Sequence, residues 1–118
     1  MTRVLATREG MEGHTTASGY VVDSVVPFVS LPSTAALGRF VRLTNPANGH
    51  TCLAIVLDTG PWNEHDDAYV LHGARPLAES GISKSGLGTN KAGIDLGGKV
   101  WATLGLEDNS SVDWEFIA

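Results

Sequence analysis

A chain of 118 residues, 42% hydrophobic and 18% charged, holds one domain (1–118) around one core and lacks the polar low-complexity tract of a disordered protein. Its net charge of −5, with eight Lys and Arg scattered along the sequence, offers no basic stripe to neutralise phosphates, so no nucleic-acid partner is expected. The apolar runs are only a few residues long, too short for a membrane span, and Cys52, the only cysteine, excludes an intrachain disulfide.

Arg3 to Thr7 (RVLAT) reads as a first strand, followed by a Gly-rich loop from Gly10 to His14. Tyr20 to Val22 reads as a second strand. Val25 to Val29 is a third extended piece, which Pro27 confines to an edge or irregular position and Leu31-Pro32 ends. Ser33 to Gly38 allows at most one helical turn before Arg39 to Thr44 alternates as a strand, with Phe40 out of phase with Val41 and Leu43. The turn Asn45 to Gly49 carries an Asn-Gly pair and returns directly into Thr51 to Leu57, a hairpin in which Cys52 is a small core residue.

The run Ala54-Ile55-Val56-Leu57 is apolar and partly β-branched, a buried strand that Gly60-Pro61 stops, leaving Asp58 at its end. A carboxylate leaving a buried strand beside Trp62 is partly desolvated, which raises its pKa toward the range of a general acid. The competing reading is an Asp58 that hydrogen-bonds the backbone of its own Thr-Gly-Pro turn. Trp62 is placed either to offer an aromatic face to a ligand or to cap the core.

From Asn63 to Asn90 the chain is a polar, Gly/Ser-rich surface excursion in which only Tyr69 to Leu71 reads as a strand. Glu64 and His65 stand just past Asp58 as a general base or orienter, against the simpler reading of a solvated loop. His65 and His72 with Glu64, Asp66 and Asp67 are metal-ligand types without a recognised spacing, so neither a metal nor a cofactor is expected. His14 and His50 fall in loops and add nothing specific. Asp95 either caps the following helix or faces a groove. In that helix Val100, Trp101 and Leu104 share a face and Gly105 is the C-cap. Ser110 to Ile117 closes the chain as a half-buried strand through Val112, Trp114 and Phe116. Six or so short strands with one or two small helices predict a mainly β fold, a small barrel.

Four blocks in order resemble the double-psi β-barrel domain of the rare lipoprotein A family and its relatives, the expansins and family-45 endoglucanases. They are Thr16-Ala17-Ser18-Gly19; Leu31-Pro32 leading to Gly38 through Asn45 with Asn48-Gly49; Val56 through Trp62; and Ile94-Asp95-Leu96. The resemblance spans residues 6 to about 105 and implies a six-stranded double-psi β-barrel with a groove for a β-1,4-linked glycan, peptidoglycan or a cellulose-like polymer. It implies lytic cleavage of peptidoglycan with Asp58 as the catalytic acid, and it makes Asp95 the carboxylate of the family's Phe-Asp-Leu motif. The chain departs from the pattern where the lytic enzymes carry a glutamate and a histidine, positions held here by Tyr20 and Phe28, and where Glu9 replaces a tyrosine.

The expected function is therefore cleavage of a cell-wall glycan by Asp58, Asp95 and His65, with Trp62, Glu9, Tyr20 and Glu64 contacting substrate. The alternatives are an expansin-like binding module without turnover and a family-45-like endoglucanase; a partner-binding barrel without a glycan ligand ranks below both. A monomer is expected. Met1-Thr2-Arg3 lacks the apolar core of a signal peptide, which fits a phage- or toxin-type protein, or a secreted or periplasmic one whose leader is removed.

Overall fold

The computed structural model describes residues 1–10 and 12–117. Its six strands are β1 (Thr2–Arg8), β2 (Phe28–Leu31), β3 (Phe40–Thr44), β4 (Thr51–Thr59), β5 (Ile94–Leu96) and β6 (Ser110–Phe116); its two short α-helices are α1 (Asp67–Val70) and α2 (Gly98–Thr103). The strands close into a barrel in the order β1-β5-β2-β4-β3-β6, and β6 returns to pair with β1. The pairs β1/β5 and β2/β4 are parallel and the other four antiparallel. This mainly β, closed six-stranded barrel with two short helices is the fold class predicted from the sequence.

Alternation along each strand builds the core. Val4 and Ala6 of β1, Val29 and Leu31 of β2, Val41 and Leu43 of β3, Ala54 and Val56 of β4, and Val112 and Trp114 of β6 all face inward. Burial of each Val or Leu among them stabilises the barrel by about 1.5–3 kcal/mol. Val100 and Leu104 seal one side of the core from α2, with Trp101 half-buried beside them. Phe40, out of phase as expected, faces solvent, and Cys52 is half-buried against the core. The hairpin forms as predicted, pairing Thr44 with Thr51 around Asn45 to Gly49.

Three expected elements differ. Tyr20 to Val22 is not a strand: Gly19, at φ 88°, turns the chain back, and only Val21 makes a bridge, to Thr15 of the same loop. The expected Gly10 to His14 loop falls partly outside the described residues, at Met11. The extended piece at Val25 to Val29 starts later, as β2, and is central rather than at an edge. Pro27 precedes the strand and uses only its carbonyl, which accepts the Ile55 N–H at 3.1 Å. Tyr69 and Val70 belong to a single helical turn, because three apolar residues do not define a period. Tyr69 is buried there, its hydroxyl donating to the Gly93 carbonyl at 2.9 Å and accepting from Trp114 Nε1 at 2.8 Å.

Candidate active site

Residues paired across neighbouring strands stand side by side on one face of a sheet. The register sets Thr7 beside Asp95 across β1 and β5, Asp95 beside Ser30 across β5 and β2, and Ser30 beside Asp58 across β2 and β4. Because Val29, Leu31, Ile94 and Leu96 fill the core, alternation turns Ser30 and Asp95 to the opposite, outer face of the wall. Asp58 has the same phase as the core residue Val56 and should point inward. A bulge prevents this: Val29 pairs with Val56 but Ser30 pairs with Asp58, so Leu57 is an extra residue that re-aims the carboxylate. Glu9 continues the row two residues beyond Thr7, held by its N–H to the Leu96 carbonyl at 2.8 Å.

Three carboxyl groups, Glu9, Asp58 and Asp95, thus gather on the outer wall, each half-buried. Ser30 Oγ donates to Glu9 Oε2 at 2.6 Å, and the Thr7 hydroxyl donates to Asp95 Oδ1. Asp58 Oδ1 accepts the N–H of Thr59 at 2.9 Å, which is the own-turn bond expected of it, and also the N–H of Ala17 at 3.0 Å. The second bond comes from a tight loop closed by Thr16 N–H on the Tyr20 carbonyl (2.7 Å) and anchored by Ser18 N–H on the Leu57 carbonyl (3.2 Å). Asp95 does not cap α2, whose N-cap is Gly97 with no side-chain bond.

Burial pushes the Glu9 carboxyl up to about 8, helped by its hydrogen bond with Asp58 and by the charges of Asp58 and Asp95, and opposed by the Ser30 hydroxyl. Burial likewise raises Asp95 to about 6, with the charge of Asp58 adding and the Thr7 hydroxyl opposing. Near neutral pH Glu9 therefore keeps its proton while Asp95 has largely given its own up. One site presents a ready acid and a ready base. Gly60 lies beside the second oxygen of Asp95, and at φ 134° it takes a backbone angle that a side chain rarely adopts. Among the described residues no group of three or more His, Cys, Asp or Glu is arranged to hold a metal ion.

The remaining predicted residues lie elsewhere. Tyr20 and Phe28, which stand where the resemblance places a glutamate and a histidine, pack edge to face with ring centroids 5.3 Å apart, and the Tyr20 hydroxyl donates to Asp23. Trp62, Glu64 and His65 line a cleft with residues of the 63–90 excursion, and none of the three carboxylates borders it. His65 bridges Ser33 through its backbone. Thr7 and Ser30, which fix two of the carboxyls, escaped the sequence reading. Their only signal is strand register, which no motif encodes.

A family model described as a domain of unknown function, DUF8814, matches residues 1–115. The chain belongs to that family. No curated protein matches this DUF8814 chain significantly. Among solved structures it is similar to the Streptomyces papain inhibitor, at 17% identity over 96% of this chain and 92% of that one, with a TM-score of 0.51. That likeness concerns the fold alone. No helix among the described residues is long and apolar enough to cross a membrane.

Proposed function

We propose that this protein cleaves a β-1,4-linked cell-wall glycan, peptidoglycan first among them, using the outer-wall carboxylates as acid and base. The observation that carries the reading is the gathering of three half-buried carboxyl groups, Glu9, Asp58 and Asp95, on one wall, where burial raises Glu9 to about 8 and so favours a protonated acid where a glycosidic oxygen needs a proton. In this scheme the proton of Glu9 passes to the leaving oxygen. Asp95, raised only to about 6, accepts the proton of the attacking hydroxyl. If that hydroxyl belongs to water, the product is a new reducing end; if it is the sugar's own, the product is an anhydro sugar. The resemblance to rare lipoprotein A in four ordered blocks supports the choice of polymer. Two of those blocks meet at Asp58, through the Ala17 N–H.

The test is incubation of the parent protein and Asp58→Asn with peptidoglycan sacculi and with amorphous cellulose, followed by mass spectrometry of the soluble products. Asn keeps an oxygen for the Ala17 and Thr59 N–H groups and loses only the ionisable carboxyl. Products released by the parent and absent with the variant are expected. No product from either polymer with the parent would overturn the reading in favour of a barrel that binds glycan without turnover, which the Tyr20–Phe28 pair at the positions of the family's Glu and His supports.

A further inference from the structure

A cleft of about 600 Å³ opens at the start of β1, where Arg3 and Leu5 alternate with the core residues Val4 and Ala6 and so face outward. Arg75, Glu79, Lys91 and Ser111 line it with them. Three of the chain's eight Lys and Arg thus converge on one cleft of a molecule whose net charge is −5. Both arginines are held in fixed planes. Arg3 Nε and Nη2 donate to the two oxygens of Asp113 at 2.8 and 3.0 Å. Arg75 Nε and Nη2 donate to the two oxygens of Glu79 at 2.9 and 2.5 Å, and Nη2 donates also to the Arg3 carbonyl at 2.9 Å. These bonds leave Nη1 of each guanidinium without a hydrogen-bond partner among the described residues. Lys91 makes no ion pair among the described residues, and it stands at φ 67°, an angle that residues with a side chain rarely adopt. Its own N–H on Thr89 Oγ1 (3.2 Å) and the Ala92 N–H on Asn90 Oδ1 (3.1 Å) brace the turn at that angle. Strain held in place at the rim of a cleft points to a use for the side chain it presents.

We propose that this cleft binds the free carboxylate of a peptide that ends in an aliphatic residue, with the two free Nη1 groups and the Lys91 ammonium donating to its oxygens. Asp113 and Glu79 match two of the three positive charges, and the surplus of one suits a carboxylate rather than a doubly charged phosphate. Leu5, half-buried, gives the aliphatic side chain a surface to cover. Ser111, exposed and paired opposite Leu5, has a hydroxyl that is free among the described residues to bond the amide preceding the carboxylate. The cleft and the carboxylate wall use opposite ends of β1, so this inference does not depend on the glycan reading.

The experiment is a titration of ¹⁵N-labelled protein with N-acetyl-Ala-Ala, with the C-terminal amide of the same peptide and with inorganic phosphate. The signals followed are the Nε–H of Arg3 and Arg75 and the backbone N–H of Leu5 and Lys91. The free acid is expected to shift these signals, to bind about tenfold more tightly than the amide and to bind more tightly than phosphate, the tenfold being the worth of hydrogen bonds made to an ionised group. Lys91→Gln should weaken binding of the acid about three- to tenfold and leave the urea midpoint unchanged, since the ammonium it removes pairs with no described residue. The comparison of acid with amide on the parent protein stands even if that variant folds poorly. Equal affinities for acid and amide, tighter binding of phosphate, shifts that spare these residues, unchanged affinity in Lys91→Gln, or no binding of the acid would overturn the inference. The titration reads binding without turnover. A protein that binds the acid at Lys91 and cleaves no glycan keeps this inference and loses the catalytic reading, whereas glycan cleavage without a preference for the acid does the reverse.

Discussion

The outer wall of β1, β5, β2 and β4 and the excursion from Asn63 to Asn90 are built by different means. On the wall, four strands in fixed register hold Thr7, Asp95, Ser30 and Asp58 in one row, and the core beneath them is buried on every strand. The excursion has one turn of α-helix and one short 3₁₀ turn, and several of its side chains, Ser80 and Ser83 among them, bond to nearby backbone. Precision of the kind acid–base chemistry needs comes from the wall, where a carboxyl cannot shift without breaking a ladder. Selection among ligands suits the exposed part of the excursion, whose side chains can change without disturbing the barrel, unlike Tyr69 and Val70, which pack in its core.

The largest expected effect separates the two regions by activity. Removing either carboxyl of the acid pair, in Asp58→Asn or Glu9→Gln, should lower glycan cleavage about 10²- to 10⁴-fold, the usual worth of a positioned acid. The parent's rate should peak near neutral pH, falling as Asp95 takes up its proton below about 6 and as Glu9 loses its own above about 8. His65→Ala in the excursion should leave both the rate and this profile within about twofold of the parent. A loss with His65→Ala comparable to that with Asp58→Asn would move the chemistry off the wall.

That contrast also marks what the sequence reveals. The hairpin at Asn48-Gly49, the core phases of Val41, Leu43, Val112 and Trp114, and the burial of Val100 and Leu104 at α2 are local patterns and appear as read, except that the C-cap of α2 falls on Leu104, one residue before the expected Gly105. Asp58 and Asp95 stand out because each sits at a recognisable motif. The position of Ser30 between them is set by parallel pairing over long sequence separations and by one bulged residue, Leu57, which no local pattern announces. In the sequence Glu9 stands as a substrate contact where the resemblance has a tyrosine; its perturbed proton depends on burial and on neighbours 49 and 86 positions along the chain. The Tyr69 strand failed for the opposite reason, since its few apolar residues fit either period.

Stability gives the next largest separation. Ile94 is fully buried in β5, and Ile94→Ala should cost about 2–5 kcal/mol in urea unfolding through the cavity left behind. Glu9→Gln should act in the other direction. The folded pKa values of Glu9 and Asp95 lie above their ordinary 4.5 and 3.8, so the native state holds more protons than the unfolded one. Their contribution is present in full below those ordinary values and is lost as pH rises through about 6 and then about 8. Glu9→Gln should therefore be more stable than the parent at pH 9 by about 1–2 kcal/mol, after discounting for solvent screening, with the gain fading toward pH 5. A variant that is more stable and less active marks a group kept for chemistry at a cost to the fold. Equal stability of parent and variant across that range would place Glu9 in ordinary solvent.

The smallest expected effect completes the comparison with the same side chain in the other region. Ile82 lies in the excursion and is 61% exposed, so Ile82→Ala removes the same atoms as Ile94→Ala from a place where water already reaches them. Its backbone bridge to Gly88 does not depend on the side chain. The change in unfolding free energy should stay within about 0.5 kcal/mol. A cost near that of Ile94→Ala would mean that Ile82 is covered by something in solution, and the excursion would then have to be treated as part of a packed structure rather than as the adaptable border of a rigid wall.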